Sequence, residues 1–273
     1  MTTGADREAV AVVIPVWDDY VRWLPEAVAS VLDQGVAEQV IVVDNASAEP
    51  VPELPGTMVI RTPRRLSTGA ARNLGLDAVT TPFVVFLDAD DVMLPGSLEA
   101  LVTGLGKRAG MVALGSSRIE SDTGKRHRFP RRWAGALARR PVAFALANTV
   151  WSLVPTQGTM VMRTDAVRDA GGYANRSQGE DWVLGVSLAW RGPIGFHERM
   201  TLLYRWRDDS PGGECAQPSL WANARGVRER MRQDPKVPGW ARACVPLLAL
   251  LQSLAVVARG PLHRVRGLKR KPG

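Results

Sequence analysis

Asp88 and Asp90 close the run Phe83-Val84-Val85-Phe86-Leu87-Asp88-Ala89-Asp90-Asp91 and are the side chains best placed to do chemistry. Two carboxylates one residue apart can share a hard divalent cation such as Mg²⁺ or Mn²⁺, whose other positions go to water and a diphosphate. The alternative is that these acids merely cap a helix over Leu94 to Gly106. The apolar residues before them have the composition of a strand buried on both faces of a parallel sheet. The carboxyl end of such a strand is where open α/β sheets meet their ligands. Arg72, in Thr68-Gly69-Ala70-Ala71-Arg72-Asn73-Leu74-Gly75, is either a fixed charge beside a ligand or a surface arginine on an alanine-rich helix. The small residues at 69 to 71 let that helix pack closely and leave room for a ligand. Asp181, in Gly179-Glu180-Asp181-Trp182, reads on its own as a helix cap.

The elements that must position these groups are legible from periodicity. Val10 to Val16 form a second buried strand, stopped by Pro15-Val16-Trp17-Asp18-Asp19. Leu24, Ala27, Val28, Val31 and Leu32 then recur at helical spacing, with Pro25 in the first turn and Gly35 as the stop. Gln39 to Val43 is again apolar and runs into Asp44-Asn45-Ala46-Ser47. This β-α-β succession implies a right-handed crossover and puts Asp44 where a ligand is met. A Pro-rich link leads to a short strand at Met58 to Arg61.

The second half is less regular. It predicts a strand at Met111 to Ser116, then an Arg-rich stretch from Gly124 to Arg140 with Phe129 and Trp133 interleaved. That stretch is a mobile loop over an anionic ligand or a solvated basic face, the latter being favoured. A short apolar run at Met160 to Met162 and a helix over Thr164 to Ala170 follow. Next come a helix in which Val183, Val186 and Trp190 share one face, strands near Ile194 to His197 and Leu202 to Trp206, and an amphipathic helix over Pro218 to Arg232.

With 273 residues, 45% hydrophobic and 23% charged, the chain has ample material for one large domain or two small ones. Cys215 and Cys244 fit no metal-ligand spacing, and the polar Met1 to Glu8 has no signal-peptide pattern, so a cytoplasmic protein is expected. The net charge of +8 suggests nucleic acid until it is located. Arg259, Arg264, Arg266, Lys269, Arg270 and Lys271 supply six of those charges and leave +2 for the rest, so no nucleic-acid partner is expected. Val245 to Ala258 has only Gln252 and Ser253 as polar residues and is too short for a span of about 20 residues. Followed by the basic tail, it is either an interfacial helix on the anionic inner face of a membrane or a buried terminal helix.

Taken together, Val-Ile-Pro-Val-Trp at 13 to 17, Leu-Pro-Glu-Ala-Val-Ala-Ser-Val-Leu-Asp-Gln at 24 to 34, Val-Val-Asp-Asn-Ala-Ser at 42 to 47, Gly-Ala-Ala-Arg-Asn-x-Gly at 69 to 75, Asp-Ala-Asp-Asp at 88 to 91, Gly-Glu-Asp-Trp at 179 to 182 and Tyr-Arg-Trp-Arg at 204 to 207 resemble the family 2 glycosyltransferases of the GT-A fold. The resemblance covers about Val10 to Arg207. It implies an α/β, Rossmann-like fold with a mostly parallel central sheet and flanking helices over residues 1–210, nucleotide-binding to about 116 and acceptor-binding from 117. Residues 211–273 would be a helical extension. It implies an inverting transfer from a nucleotide diphosphate sugar, UDP favoured, to a saccharide, lipid-linked or small-molecule hydroxyl. Pro15, Val16 and Trp17 would border the base, Asp44 would accept a hydrogen bond from it, and Arg72 would hold that part of the pocket. Asp88, with Ala89, would face the ribose or the metal's water shell, and Asp90 would bind the cation. Asp181, with Glu180 beside it, would be the catalytic base, and Gln157, Gly158, Thr159 and Trp182 would line the acceptor region.

Two positions depart from the pattern. Many relatives carry a metal-completing histidine where this chain has Arg207, and a protonated guanidinium cannot ligate a cation. Water and diphosphate complete the site, or Arg207 neutralises the diphosphate, or His197 comes in from the neighbouring strand, in that order of preference. Asp18 stands where relatives often have asparagine. Two other readings remain. Sugar-phosphate nucleotidyl transfer wants a Gly-rich basic loop after the first strand, where this chain has Asp18 and Asp19. A non-catalytic nucleotide-sugar or membrane-surface binding protein leaves Asp90 and Asp181 unexplained.

Overall fold

The computed structural model describes residues 9–106, 112–121, 126–129, 132–153, 157–206 and 217–268. The strands are β1 (Val10–Val16), β2 (Ala37–Asp44), β3 (Met58–Arg61), β4 (Phe83–Phe86), β5 (Val92–Met93), β6 (Val112–Ser121), β7 (Arg126–Phe129), β8 (Met160–Arg163) and β9 (Ile194–Trp206). The helices are α1 (Leu24–Leu32), α2 (Thr68–Ala78), α3 (Ser97–Gly106), α4 (Arg132–Ala138), α5 (Pro141–Val150), α6 (Thr164–Asp169), α7 (Glu180–Ala189), α8 (Gln217–Gln233), α9 (Gly239–Ala243) and α10 (Val245–Leu268).

All these strands join one sheet in the order β3-β2-β1-β4-β8-β6-β9-β5, with β7 on β6. The block β3-β2-β1-β4 is parallel throughout. Beyond it β8 is antiparallel to both β4 and β6, while β9 runs parallel to β6. The period of two along each strand divides the aliphatic residues between two cores. Ala11, Val13, Ile41, Val43, Val84 and Phe86 face the side covered by α2 and α5 to α7. Val10, Val12, Ile14, Val40, Val42 and Val85 face α1 and α3. Each fully buried Val, Ile or Phe contributes about 1.5–3 kcal/mol, which is why these runs form strands with no polar alternation. A third cluster joins Val183 and Val186 of α7 to Val227 and Met231 of α8 and Val245 and Leu248 of α10, so the C-terminal helices are seated on the helix that carries Asp181.

Four expectations are corrected. The helix after the acids starts at Ser97, beyond β5, so Asp88, Asp90 and Asp91 do not cap it. The two strands expected at 194–197 and 202–206 are the single strand β9. Leu114 pairs with Phe196 and Ser116 with Met200, so His197-Glu198-Arg199 is a bulge opposite Gly115, not a break. The Arg-rich stretch holds β7 and α4 rather than an open loop or bare solvated face, and α4 is seated by buried Ala134 and Ala138. The last helix continues past Ala258 to Leu268. No helix among the described residues is long and apolar enough to cross a membrane.

Candidate active site

The carboxyl ends of β1, β2 and β4 lie side by side. Val16 is in register with Asp44, and Leu87 N–H donates to Val13 O at 3.0 Å, which puts Asp88 at the same edge. Asp44 is buried and accepts from the N–H of Ser47 (3.0 Å) and of Val51 (3.4 Å), and from the Arg61 guanidinium. Burial works against its charge, but the Ser47, Val51 and Arg61 hydrogen bonds outweigh it and hold the carboxyl below the usual range. Asp18 turns with φ 39°, donates its N–H to Ser47 Oγ at 3.2 Å and accepts from Ala48 N at 3.0 Å. It thereby ties the loop after β1 to the loop after β2, a role the sequence did not reveal. The Trp17 ring lies 4.8 Å from Tyr20 and 4.4 Å below the Arg65 guanidinium, a flat surface of the kind that takes a base. Pro15 and Val16 are buried, and Ala89 is in the core, so these three offer a ligand backbone only.

Arg72 is 3% exposed, not a surface residue. Its Nη1 donates to Glu180, 108 residues along the chain, at 2.5 Å and its Nη2 to Asp88 at 2.5 Å. Burial opposes its charge, yet Asp88 and Glu180 raise its pKa and keep it protonated. The guanidinium stands 5.3 Å over the Tyr173 ring, which in turn meets Phe86 edge-on at 4.8 Å. The nearby Gly69 is used against protein, not ligand. Its N–H donates to Arg176 O at 3.0 Å, and a Cβ there would stand 2.0 Å from Ala174 O.

The start of α7 is set by Gly179 in the left-handed region (φ 69°), where a Cβ would fall 2.4 Å from Asn223 Cγ. Gly179, not Asp181, is the N-cap, and the turn sends buried Glu180 to Arg72. Asp181 is partly exposed and accepts from Trp182 N at 2.7 Å. Desolvation and then the Glu180 charge push its carboxyl up to about 7, against the Trp182 N–H and Arg72, with Asp88 adding to the rise.

Asp91 is buried. Its Oδ1 accepts from Arg205 N at 3.2 Å and its Oδ2 has no partner, while burial, Asp90 and Asp88 hold its pKa well above the ordinary value. The Arg205 guanidinium donates to Asp90 O at 3.2 Å and Glu26 at 2.6 Å and lies 4.6 Å over Trp23. Tyr204 beside it is raised by burial and then by Asp91, Asp88, Asp90 and Asp181, so one phenol feels the acids of both segments. Arg72 ties Asp88 to Glu180, and Arg205 holds the turn at Asp90 and Asp91, so the acidic segments 88–91 and 180–181 are joined at Arg72. Surplus negative charge, hard oxygen donors and an unpartnered buried carboxylate oxygen fit a divalent cation. Among the described residues no three acid, histidine or cysteine groups stand as a ready set.

The acceptor residues divide. Thr159 is fully buried, and a Cβ on Gly158 would strike Leu202 at 2.7 Å and Leu87 at 3.0 Å, so this turn supports the floor beneath Asp88. Trp182 donates its Nε1 to Asn148 O at 2.5 Å. The Gln157 side chain and Arg207 lie outside the described residues. His197 is corrected: it accepts from Arg199 N at 3.0 Å within the bulge, close to Gly104 of α3. Seven positions of strand, on the order of 20 Å, separate it from Tyr204, so it does not complete a metal site. Sequence reasoning also missed Tyr173, Tyr204 and Arg205. The Tyr-Arg-Trp-Arg motif is the sequence signal for Tyr204 and Arg205, and Tyr173 lies outside it.

Over residues 11–171 the chain matches the profile described as Glycosyl transferase family 2. It is 34% identical over 199 residues to the pre-mycofactocin glycosyltransferase of Mycobacterium tuberculosis, covering 69% of this chain and 40% of that protein. It is 29% identical over 114 residues to the succinoglycan biosynthesis protein ExoO of Rhizobium meliloti, covering 40% of this chain and 32% of that one. The chain therefore spans less than half the length of these relatives. The structure of S. aureus TarS 1–349 in complex with UDP-GlcNAc superposes with a TM-score of 0.69 at 14% identity, over 90% of this chain and 72% of that one. Its complex with UDP gives a TM-score of 0.64 at 15% identity, over 88% and 69%. The GT-A fold is shared with these structures, and by its sequence this chain belongs to glycosyltransferase family 2.

Proposed function

We propose that this protein transfers a sugar from a nucleotide diphosphate sugar, a UDP-sugar first, to an acceptor hydroxyl with inversion at the anomeric carbon. The observation that carries the reading is the Arg72 bridge between Asp88, two residues before Asp90, and Glu180, the residue before Asp181. Trp17 and Arg65 would hold the base, and Asp44 would accept from it on a carboxylate already fixed by Ser47 and Arg61. Asp88 and Asp90 would hold Mg²⁺ or Mn²⁺, which when bound neutralises charge on the departing diphosphate. Asp181 takes the proton of the acceptor hydroxyl as it attacks opposite the leaving group. A carboxyl with a pKa of about 7 accepts a proton readily at neutral pH. Glu180 holds Arg72 so that Asp181 remains the ionisable group facing the acceptor.

The test is UDP release from a panel of UDP-sugars with Mn²⁺. Turnover that disappears in Asp181→Asn supports the reading, and turnover unaffected by that change overturns it.

The reading extends to a peripheral contact with anionic lipid. Leu247, Leu250, Leu251, Leu254 and Val257 leave a stripe of α10 41–61% exposed, ahead of a basic sequence with no acid from Arg259 to Lys271. Burial and then the charges of Arg232 and Arg225 lower the pKa of Arg228 on α8. Full-length protein would sediment with phosphatidylglycerol vesicles at low salt and lose this on deletion of 259–273. Equal binding without the tail refutes it.

A further inference from the structure

The C-terminal helices leave a cavity of about 50 Å³ against the start of α7, the helix that carries Asp181. Trp182, the next residue in the chain, forms one wall, with Trp151 at the end of α5, Leu220 and Ala224 of α8, and Gln252 and Ala255 of α10. The polar groups in that lining are largely spent on the protein itself. Gln252 donates its Nε2 to Thr149 O at 2.7 Å and accepts on Oε1 from Arg228 at 2.6 Å. Trp182 gives its indole N–H to Asn148 O at 2.5 Å. A saccharide bound here would exchange its water contacts for few hydrogen bonds, an unfavourable trade for each buried hydroxyl. Two indoles and the leucine and alanine side chains instead reward an apolar occupant.

We infer that the acceptor's reacting hydroxyl is borne on an apolar group, and that this group sits between Trp151, Trp182, Leu220 and Ala255 while the hydroxyl reaches Asp181. The inference rests on the proposed transfer and supplies the class of acceptor. Two segments from opposite ends of the second half make the cavity: the α5 terminus, and the pair α8 and α10 packed on α7. Its shape is therefore a property of the C-terminal helices, not of the sheet that would hold the donor.

A matched pair tests it: octyl β-glucoside below its micellar concentration and methyl β-glucoside, which differ in the alkyl chain. Each is titrated calorimetrically into full-length protein saturated with UDP. Burying two or more methylenes gives at least tenfold tighter binding of the octyl compound. Ala255→Trp, which fills the cavity, and Leu220→Asn, which keeps its size but adds an amide, each reduce that advantage at least threefold. Equal binding of the two glucosides overturns the inference. So does an advantage that survives both changes, or one removed only by Leu254→Glu on the outer face of α10. Failure of the transferase reading is separate: it shows as absent UDP binding in a thermal-shift assay, and the same titrations run without UDP still read the octyl-to-methyl ratio.

Discussion

Asp181→Asn separates a catalytic carboxylate from a structural one because the two roles respond oppositely. In the folded chain burial and Glu180 push this carboxyl up to about 7 from the ordinary 3.8. The native state therefore keeps a proton that the unfolded state loses, and stability falls as pH rises between about 4 and 7 and then levels off. The full displacement corresponds to an upper limit on the order of 4 kcal/mol, and partial exposure of Asp181 brings the expectation to about 2 kcal/mol. Asparagine has no such cost, so the variant should match the wild type near pH 4 and exceed it by about 2 kcal/mol at pH 8. Urea unfolding of the metal-free protein at both pH values measures the gap. Turnover should fall about 10²–10⁴-fold in the same variant, while the wild-type rate climbs with pH through about 7. A variant that is less stable at pH 8, or that keeps its turnover, refutes the assignment of Asp181 as a strained base.

Arg72→Met removes a buried cation and leaves Glu180 without its partner, so stability at pH 7 should drop by about 3 kcal/mol, read as a lowered urea midpoint. Arg72→Lys should recover only part of this, since one ammonium lacks the fork that reaches two carboxylates. Gly179→Ala places a Cβ against Asn223 at positive φ and should cost about 1–3 kcal/mol with a fall in turnover as the α7 start shifts. Arg205→Ala loses the guanidinium from Asp90 O, Glu26 and Trp23. The thermal stabilisation that Mn²⁺ confers in the presence of UDP should shrink as the Asp90 backbone loosens.

β1, β4 and the second half of β2, with their acids, were legible because they are buried on both faces and so appear as unbroken apolar runs, while the edge strand β3 is largely exposed. The edge at which Val16, Asp44 and Asp88 emerge follows directly from that pattern. What the pattern hides is contact across the chain. Nothing local links Arg72 to Glu180, or Tyr204 to Asp181, and the buried state of Arg72 depends on α7 arriving from more than 100 residues away. α4 escaped notice because Arg139 and Arg140 crowd a helix anchored by two alanines and by Gly135 against Phe196. β9 read as two strands because His197, Glu198 and Arg199 carry turn-like polarity that the structure accommodates as a bulge.

A crystal structure of the Asp181→Asn protein with a UDP-sugar and Mn²⁺ bears most directly on the convergence of the two acidic segments. The account predicts an anomalous Mn²⁺ peak about 2.1 Å from a carboxylate oxygen of Asp90, the uracil against Trp17, and the anomeric carbon facing residue 181. A nucleotide bound away from the ends of β1, β2 and β4, or an anomeric carbon turned from residue 181, would contradict it.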